Sequence, residues 1–142
     1  MQSQSWQTDP ADLDRLRHLW DSLPNDDCDG CDGCGDKCAG EVPMTQWEFK
    51  QVRSLLQRRS TESADEPAPH AQSPFAPPCR FRDVEAGRCR IYPVRPLVCR
   101  LFGLVEWLPC PLERWGVRLP DGVEIMRWYA NLGPRPYEHW LR

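Results

Sequence analysis

Hydrophobic positions recur at helical spacing near the start of the chain. The repeat follows Thr8-Asp9-Pro10, which offers a capping side chain and a proline where a missing N–H costs least. Pro24 ends the pattern, and His18 lies off the apolar stripe, which predicts a solvated histidine. The sequence therefore predicts a helix over residues 9–23. Its apolar positions are Leu13, Leu16, Leu19, Trp20 and Leu23.

A second helical pattern opens with a capping box. Thr45-Gln46-Trp47-Glu48 has the threonine and glutamate at the spacing of reciprocal caps, and Met44 and Phe49 are placed as a hydrophobic staple. These signals predict a helix over residues 45–59, which we interpret as scaffold. The side chains expected toward the core are Trp47, Val52, Leu55 and Leu56.

The other segments have weaker patterns. Residues 60–78 are rich in Ser, Ala, Glu and Pro, which predicts a flexible linker in which His70 is incidental. The aromatic tail, residues 111–142, fits two alternatives equally: a hairpin over 117–125 turning at Pro120-Asp121-Gly122, or a helix over 125–132 ended by Gly133-Pro134. We expect these aromatic residues to cap a metal core.

Composition narrows the class of protein. The 142 residues suit one domain, residues 1–142, while 15 prolines and 9 glycines predict short elements in a small, mainly α fold with irregular loops. A net charge of −3 argues against nucleic-acid binding. The sequence does not start with basic residues followed by an apolar run, and it has no apolar stretch long enough to cross a membrane. We therefore expect a cytoplasmic protein.

Eight cysteines dominate the candidate chemistry. In a reducing compartment they are more economically metal ligands than four disulfides. The first four read CxxCxxCxxxC over eleven residues, a spacing that wraps thiolates around one centre. The first set is rich in aspartate and the second in arginine, so we expect the two halves to fold together around the metal. The predicted ligands are Cys28, Cys31, Cys34, Cys38, Cys79, Cys89, Cys99 and Cys110.

The segment CRIYPVRPLVCRLF, from Cys89 to Phe102, carries a resemblance. It is similar to the signature C-x-IY-x-x-RP-x-x-CR-x-F of the YkgJ-like cysteine-cluster family, whose CxxCxxCC domain is named for chelation of zinc or iron. Cys79 resembles the family's upstream cysteine, and the first three cysteines of the chain resemble its N-terminal run. The family commonly ends that run with adjacent cysteines, whereas three residues separate Cys34 from Cys38 here. The resemblance implies metal chelation and no single established reaction.

The same segment supplies candidate residues around a metal cofactor. Prolines 93 and 96 stiffen the connection between its cysteines. We expect Tyr92 to pack over the site, and Arg95 and Arg100 to reach sulfurs or backbone carbonyls, or else to form salt bridges with Asp83 or Glu85. The cofactor is an iron–sulfur cluster or zinc; the crowding of the first cysteine run favours the cluster.

Two other classes of function compete with metal binding. One is a metal-dependent or thiol-redox enzyme, although the sequence lacks a nucleophile–base pair and a phosphate-binding glycine loop. The other is a zinc-stabilised interaction module whose aromatic tail binds a protein partner. Neither class changes the expected ligands.

Overall fold

The computed structural model describes residues 8–23, 41–59, 79–83, 88–101, 104–105 and 119–142. Within those ranges the chain is mostly helical, as predicted, with five short α-helices, one 3₁₀ helix and two small two-stranded antiparallel sheets. The helices are α1 (Pro10–Ser22), α2 (Gln46–Arg59), α3 (Leu97–Arg100), α4 (Gly122–Ala130) and α5 (Tyr137–Trp140), with the 3₁₀ helix at Tyr92–Val94. The strands are β1 (Pro43–Met44), β2 (Arg82–Asp83), β3 (Arg88–Cys89) and β4 (Arg135–Pro136).

Helix α1 begins as its sequence predicts. The Asp9 carboxylate accepts a hydrogen bond from the backbone N–H of Ala11 at 2.8 Å, and Pro10 occupies the first turn. Leu16 is fully buried at the centre of the apolar stripe, while His18 is exposed. The helix is therefore fixed by local signals and by one buried face.

Helix α2 has the predicted capping box. The Thr45 backbone N–H donates to Glu48 Oε1 at 2.9 Å, and the Glu48 backbone N–H donates to Thr45 Oγ1 at 3.3 Å. Met44 and Phe49, the predicted staple, lie in one apolar cluster. Val52 on the same helix is fully buried.

The C-terminal segment decides between the two alternatives for the aromatic tail. Residues 123–125, which the hairpin alternative placed in a strand after its turn, lie in the first turn of α4, and that helix begins at Gly122. The hairpin alternative is therefore wrong for these residues. Gly133 then adopts a φ of 73°, which favours glycine, and the chain turns into β4. Strand β4 pairs with β1 with Met44 opposite Arg135, and the Trp140 indole N–H donates to the Met44 carbonyl at 2.9 Å.

Two apolar clusters form the core. The first cluster joins α1, α3 and α4, and its buried members are Leu16, Leu23, Leu97, Leu101, Leu104, Val105, Ile125 and Tyr129. The second cluster joins α2, the β2–β3 hairpin and α5, and its buried members are Met44, Phe49, Val52, Leu56, Cys79, Phe81, Ile91 and Tyr137. The tail aromatics thus belong to both clusters: Trp128 packs on the first, Tyr137 and Trp140 on the second.

No helix in the described part of the chain is both long and apolar enough to cross a membrane. The predicted linker, residues 60–78, and the first cysteine run, residues 28–38, lie outside the described ranges.

Candidate metal centre

Cys79 and Cys89 lie at the open end of one hairpin. Strands β2 and β3 pair antiparallel with Arg82 opposite Cys89, and the Arg82 backbone N–H donates to the Cys79 carbonyl at 3.0 Å. Cys79 is a buried member of the second apolar cluster, and Cys89 packs against the same cluster while half-buried. The hairpin therefore brings two of the predicted ligands to one region of the fold.

Cys99 is carried by a different element. It lies in α3, and both Leu97 of this helix and Leu101 directly after it are buried in the first apolar cluster. Its backbone N–H donates to the Pro96 carbonyl at 3.0 Å, and its own carbonyl accepts from Arg95 Nη1 at 3.3 Å. Both backbone groups of Cys99 are therefore held, and its side chain is half-buried.

The Arg100 side chain is buried in the protein. Its guanidinium donates to the carbonyls of Arg95 at 2.6 Å, Pro93 at 3.0 Å and Trp20 at 3.1 Å, and lies 4.0 Å from the centre of the Trp20 ring. Burial lowers the pKa of Arg100 to about 10, so the group remains charged at neutral pH. Backbone carbonyls, one of the predicted alternatives, are thus its partners.

Tyr92 and Arg95 form a second stacked pair. The Arg95 guanidinium carbon lies 4.1 Å from the centre of the Tyr92 ring, and both residues are half-buried. Because Arg95 also donates to the Cys99 carbonyl, this pair lies beside the cysteine. Their predicted role as residues around the metal stays a prediction.

Glu48 is a buried carboxyl group that joins four helices. Its Oε2 accepts from the Trp20 indole N–H at 2.9 Å and from the Leu97 backbone N–H at 2.6 Å. Its Oε1 accepts from the Thr45 backbone N–H at 2.9 Å and from the Tyr129 hydroxyl. The carboxyl group thereby connects α2 to α1, α3 and α4.

Burial shifts the pKa values of both Glu48 and Tyr129. Burial raises the pKa of the Glu48 carboxyl, and its four hydrogen bonds offset part of that rise by favouring the charged form. Burial, with Glu48 beside it, also raises the pKa of the Tyr129 hydroxyl well above its ordinary value. Tyr129 therefore keeps its proton. Its oxygen can also accept, so it is the one partner of Glu48 that suits both protonation states of the carboxyl group.

The capping box predicts Glu48 only as a helix cap. A further signal was present, because Glu48, Val52 and Leu55 occupy one face of α2 at helical spacing and the other two are core residues. A glutamate on an apolar stripe predicts a buried carboxyl group with several donors around it.

The donor chemistry fits the cofactors predicted from the sequence. Cys79, Cys89 and Cys99 offer thiols, which in deprotonated form are the usual ligands of zinc and of iron–sulfur clusters. Among the described residues, no three His, Cys, Asp or Glu side chains are grouped closely enough to bind a metal ion. The described residues thus do not by themselves form a metal site. The other predicted ligands, Cys28, Cys31, Cys34, Cys38 and Cys110, lie outside the described ranges.

A protein-family model matches residues 27–118, a range that includes all eight cysteines and more than half of the chain. The family is described as "CxxCxxCC: Putative zinc- or iron-chelating domain". The chain belongs to this family. The YkgJ-like resemblance is a finer name for it, so the recognition from the sequence is confirmed, and the predicted cofactors agree with the family's description. Neither the curated proteins nor the solved structures gave a match.

Proposed function

We propose that this protein chelates zinc or an iron–sulfur cluster through cysteine thiolates drawn from both cysteine segments. The observation that carries the proposal is the β2–β3 hairpin, in which the pairing of Arg82 with Cys89 and the turn from Cys79 to Arg82 bring two thiol-bearing residues to one end. Membership of a family described by zinc or iron chelation supports the same chemistry.

Each half of the chain has a role in this proposal. Cys79, Cys89 and Cys99 supply ligands from elements packed on the two apolar clusters, and the first cysteine run completes the coordination. The bound metal would supply a cross-link between distant segments and, as a cluster, a centre for electron transfer. The proposal includes a reducing, cytoplasmic location, in which thiols remain available for metal.

Between the two cofactors, we propose the iron–sulfur cluster. The first run has the cysteine spacing of bacterial ferredoxins, although Ala39 stands where those proteins carry proline. A zinc knuckle needs only two thiolates from one such loop, whereas a cubane cluster accommodates more sulfurs from it. Eight cysteines also divide into two four-thiolate zinc sites, which is the competing arrangement.

Anaerobic purification followed by iron, zinc and sulfide analysis and a visible spectrum tests both statements. We expect brown protein with broad absorption near ~400 nm that bleaches on reduction. Cys79→Ser and Cys89→Ser should each lower the bound metal, while Ser54→Ala, on the exposed face of α2, should not. Colourless protein with stoichiometric zinc and no iron or sulfide would exclude the cluster, and protein that binds neither metal would exclude chelation.

A further inference from the structure

We infer that Glu48 is a positioning residue for Cys99: its Oε2 atom holds the first residue of the helical turn that carries the cysteine. The inference rests on the proposed function in one respect, since it takes Cys99 to be a metal ligand. Glu48 itself is a buried scaffold residue with no assigned role in binding.

The contact that carries the inference is the bond from the Leu97 backbone N–H to Glu48 Oε2 at 2.6 Å. Leu97 is the first residue of α3, where a backbone N–H has no acceptor within the helix. Cys99 lies two residues further along the same turn. The Glu48 carboxyl group therefore supplies, across 49 residues of sequence, the acceptor that fixes the start of this turn.

Arg100 holds the other side of the same segment. Its guanidinium donates to the carbonyls of Pro93 and Arg95, so the chain before α3 is fixed from within. Glu48 adds a hydrogen bond from α2 to the first residue of α3, while the 3₁₀ helix before it also packs on α2. Side chains of the protein thus hold the turn that carries Cys99 from two sides.

Trp20 contacts both Glu48 and Arg100. Its indole N–H donates to Glu48 Oε2, its carbonyl accepts from Arg100, and its ring stacks with the Arg100 guanidinium. The Oε2 atom therefore has two fixed donors, one from α1 and one from α3. This double contact restricts where Leu97, and with it the backbone of Cys99, can lie.

Residues that orient a metal ligand usually change metal affinity about 10- to 100-fold when they are removed. Removal of a residue that only stabilises the core would instead destabilise all parts of the protein together. The two roles are separable here because Cys89 lies on the β2–β3 hairpin, and none of the four hydrogen bonds of Glu48 reaches that hairpin.

Three variants make the comparison. Glu48→Met keeps the length of the side chain but removes both oxygen acceptors. Glu48→Gln keeps one oxygen, which can accept from Leu97 and Trp20, while its amide group can donate to the Tyr129 hydroxyl oxygen. Only the Thr45 backbone N–H then loses its acceptor, and this bond lies away from α3. Val52→Ala, one turn further along α2, removes a fully buried side chain of the second cluster and serves as the destabilised control.

The alkylation rates of Cys99 and Cys89 are measured by peptide mass spectrometry on protein as purified anaerobically, with metal content determined on the same samples. We expect Glu48→Met to increase the alkylation rate of Cys99 about tenfold more than that of Cys89. Glu48→Gln should recover most of the wild-type rate, and Val52→Ala should not accelerate Cys99 selectively. Equal acceleration of both cysteines by Glu48→Met, or the same pattern in Val52→Ala, would overturn the inference.

A measurement on the wild-type chain keeps the test valid if Glu48→Met does not fold. The Leu97 amide, as the first of its helix, should exchange with solvent at least about 100-fold more slowly than an exposed amide, because Glu48 holds it. Exchange at the exposed rate would overturn the inference. Wild-type protein without metal would disprove the proposed function alone, since both the alkylation ratio and the exchange rate are measured whether or not metal is present.

Discussion

The indole N–H of Trp20 donates to the carboxyl group of Glu48 at 2.9 Å, although 28 residues separate them in sequence. The intervening chain includes the whole first cysteine run, so this bond joins the two helices that flank that run. The same carboxyl oxygen holds Leu97, two residues before Cys99. One buried side chain thus joins the helix that precedes the first cysteine run to the turn that carries Cys99 in the second segment.

The Trp20 bond can be tested by Trp20→Phe, which keeps an aromatic ring beneath Arg100 but removes the donor to Glu48. We expect a loss of about 1–3 kcal/mol in the free energy of unfolding, the range for a buried group that loses a hydrogen-bond partner. Urea denaturation measures it. The matched control is Trp128→Phe. In the wild type the Trp128 indole N–H donates to half-buried Asp12 at 2.9 Å, so this substitution should lower the free energy of unfolding by less than about 1 kcal/mol. Equal losses of unfolding free energy in the two variants would show that the burial of Glu48 does not strengthen its bond with Trp20.

The raised pKa of Glu48 predicts a pH dependence of stability. Because the folded-state pKa lies above the ordinary value of 4.5, the folded protein binds the proton more tightly than the unfolded chain. The stability that this proton contributes is fully present below pH 4.5 and is lost as the pH rises through the folded-state pKa. The slope cannot exceed about 1.4 kcal/mol per pH unit for one group.

Glu48→Gln isolates this effect, because glutamine does not titrate. Urea denaturation of both proteins between about pH 5 and 8 should show the wild type losing stability relative to Glu48→Gln as the pH rises. Contributions from thiols and other carboxyl groups cancel in the difference. A difference that stays constant, or that favours the wild type at higher pH, would mean that the hydrogen bonds outweigh burial.

The helices that could be predicted from sequence are those fixed by local signals. Helices α1 and α2 have their capping residues and apolar stripes within or next to their own residues, and both begin within one residue of the predicted positions. The choice at residues 117–132 was open because Pro120-Asp121-Gly122 suits a turn as well as a helix start. Distant contacts favour the helix there: Trp128 donates to Asp12, and Tyr129 donates to Glu48.

The candidate site was predictable in its chemistry but not in its supports. The spacing of the cysteines and the RP-x-x-CR segment predicted chelation, and the family match agrees. Burial of Arg100 and Glu48 depends on contacts with Trp20, Leu97 and Tyr129, which no local pattern relates to one another. Periodicity places a side chain on a face of a helix, and only tertiary packing decides which donors surround it.

Arg100→Lys tests the buried guanidinium. Lysine keeps the charge but cannot reproduce the planar set of donors that reaches three backbone carbonyls, nor the stacking on Trp20. We expect a loss of about 2–4 kcal/mol in unfolding free energy, since buried carbonyls are left without a donor. The control is Arg127→Lys on the exposed face of α4, expected within about 0.5 kcal/mol of wild type. A loss as small as that of the control would contradict the role assigned to Arg100.

Deletion of residues 62–73 tests whether the predicted linker only connects the two cysteine segments. Leu56 on α2 and Cys79 belong to the same apolar cluster, and the Arg59 side chain donates to the Arg90 carbonyl at 3.2 Å, so the elements on either side of the linker are packed together. The deletion leaves residues 60–61 and 74–78 as a connection, and these seven residues can span about 23 Å when extended. We expect unchanged metal stoichiometry and a thermal midpoint within a few degrees of wild type.

His70→Ala in the full-length chain separates the effect of losing the histidine from the effect of shortening the segment. If the deletion abolished metal binding while His70→Ala did not, the segment would contribute structure to the centre, and loss in both would identify His70 as a ligand.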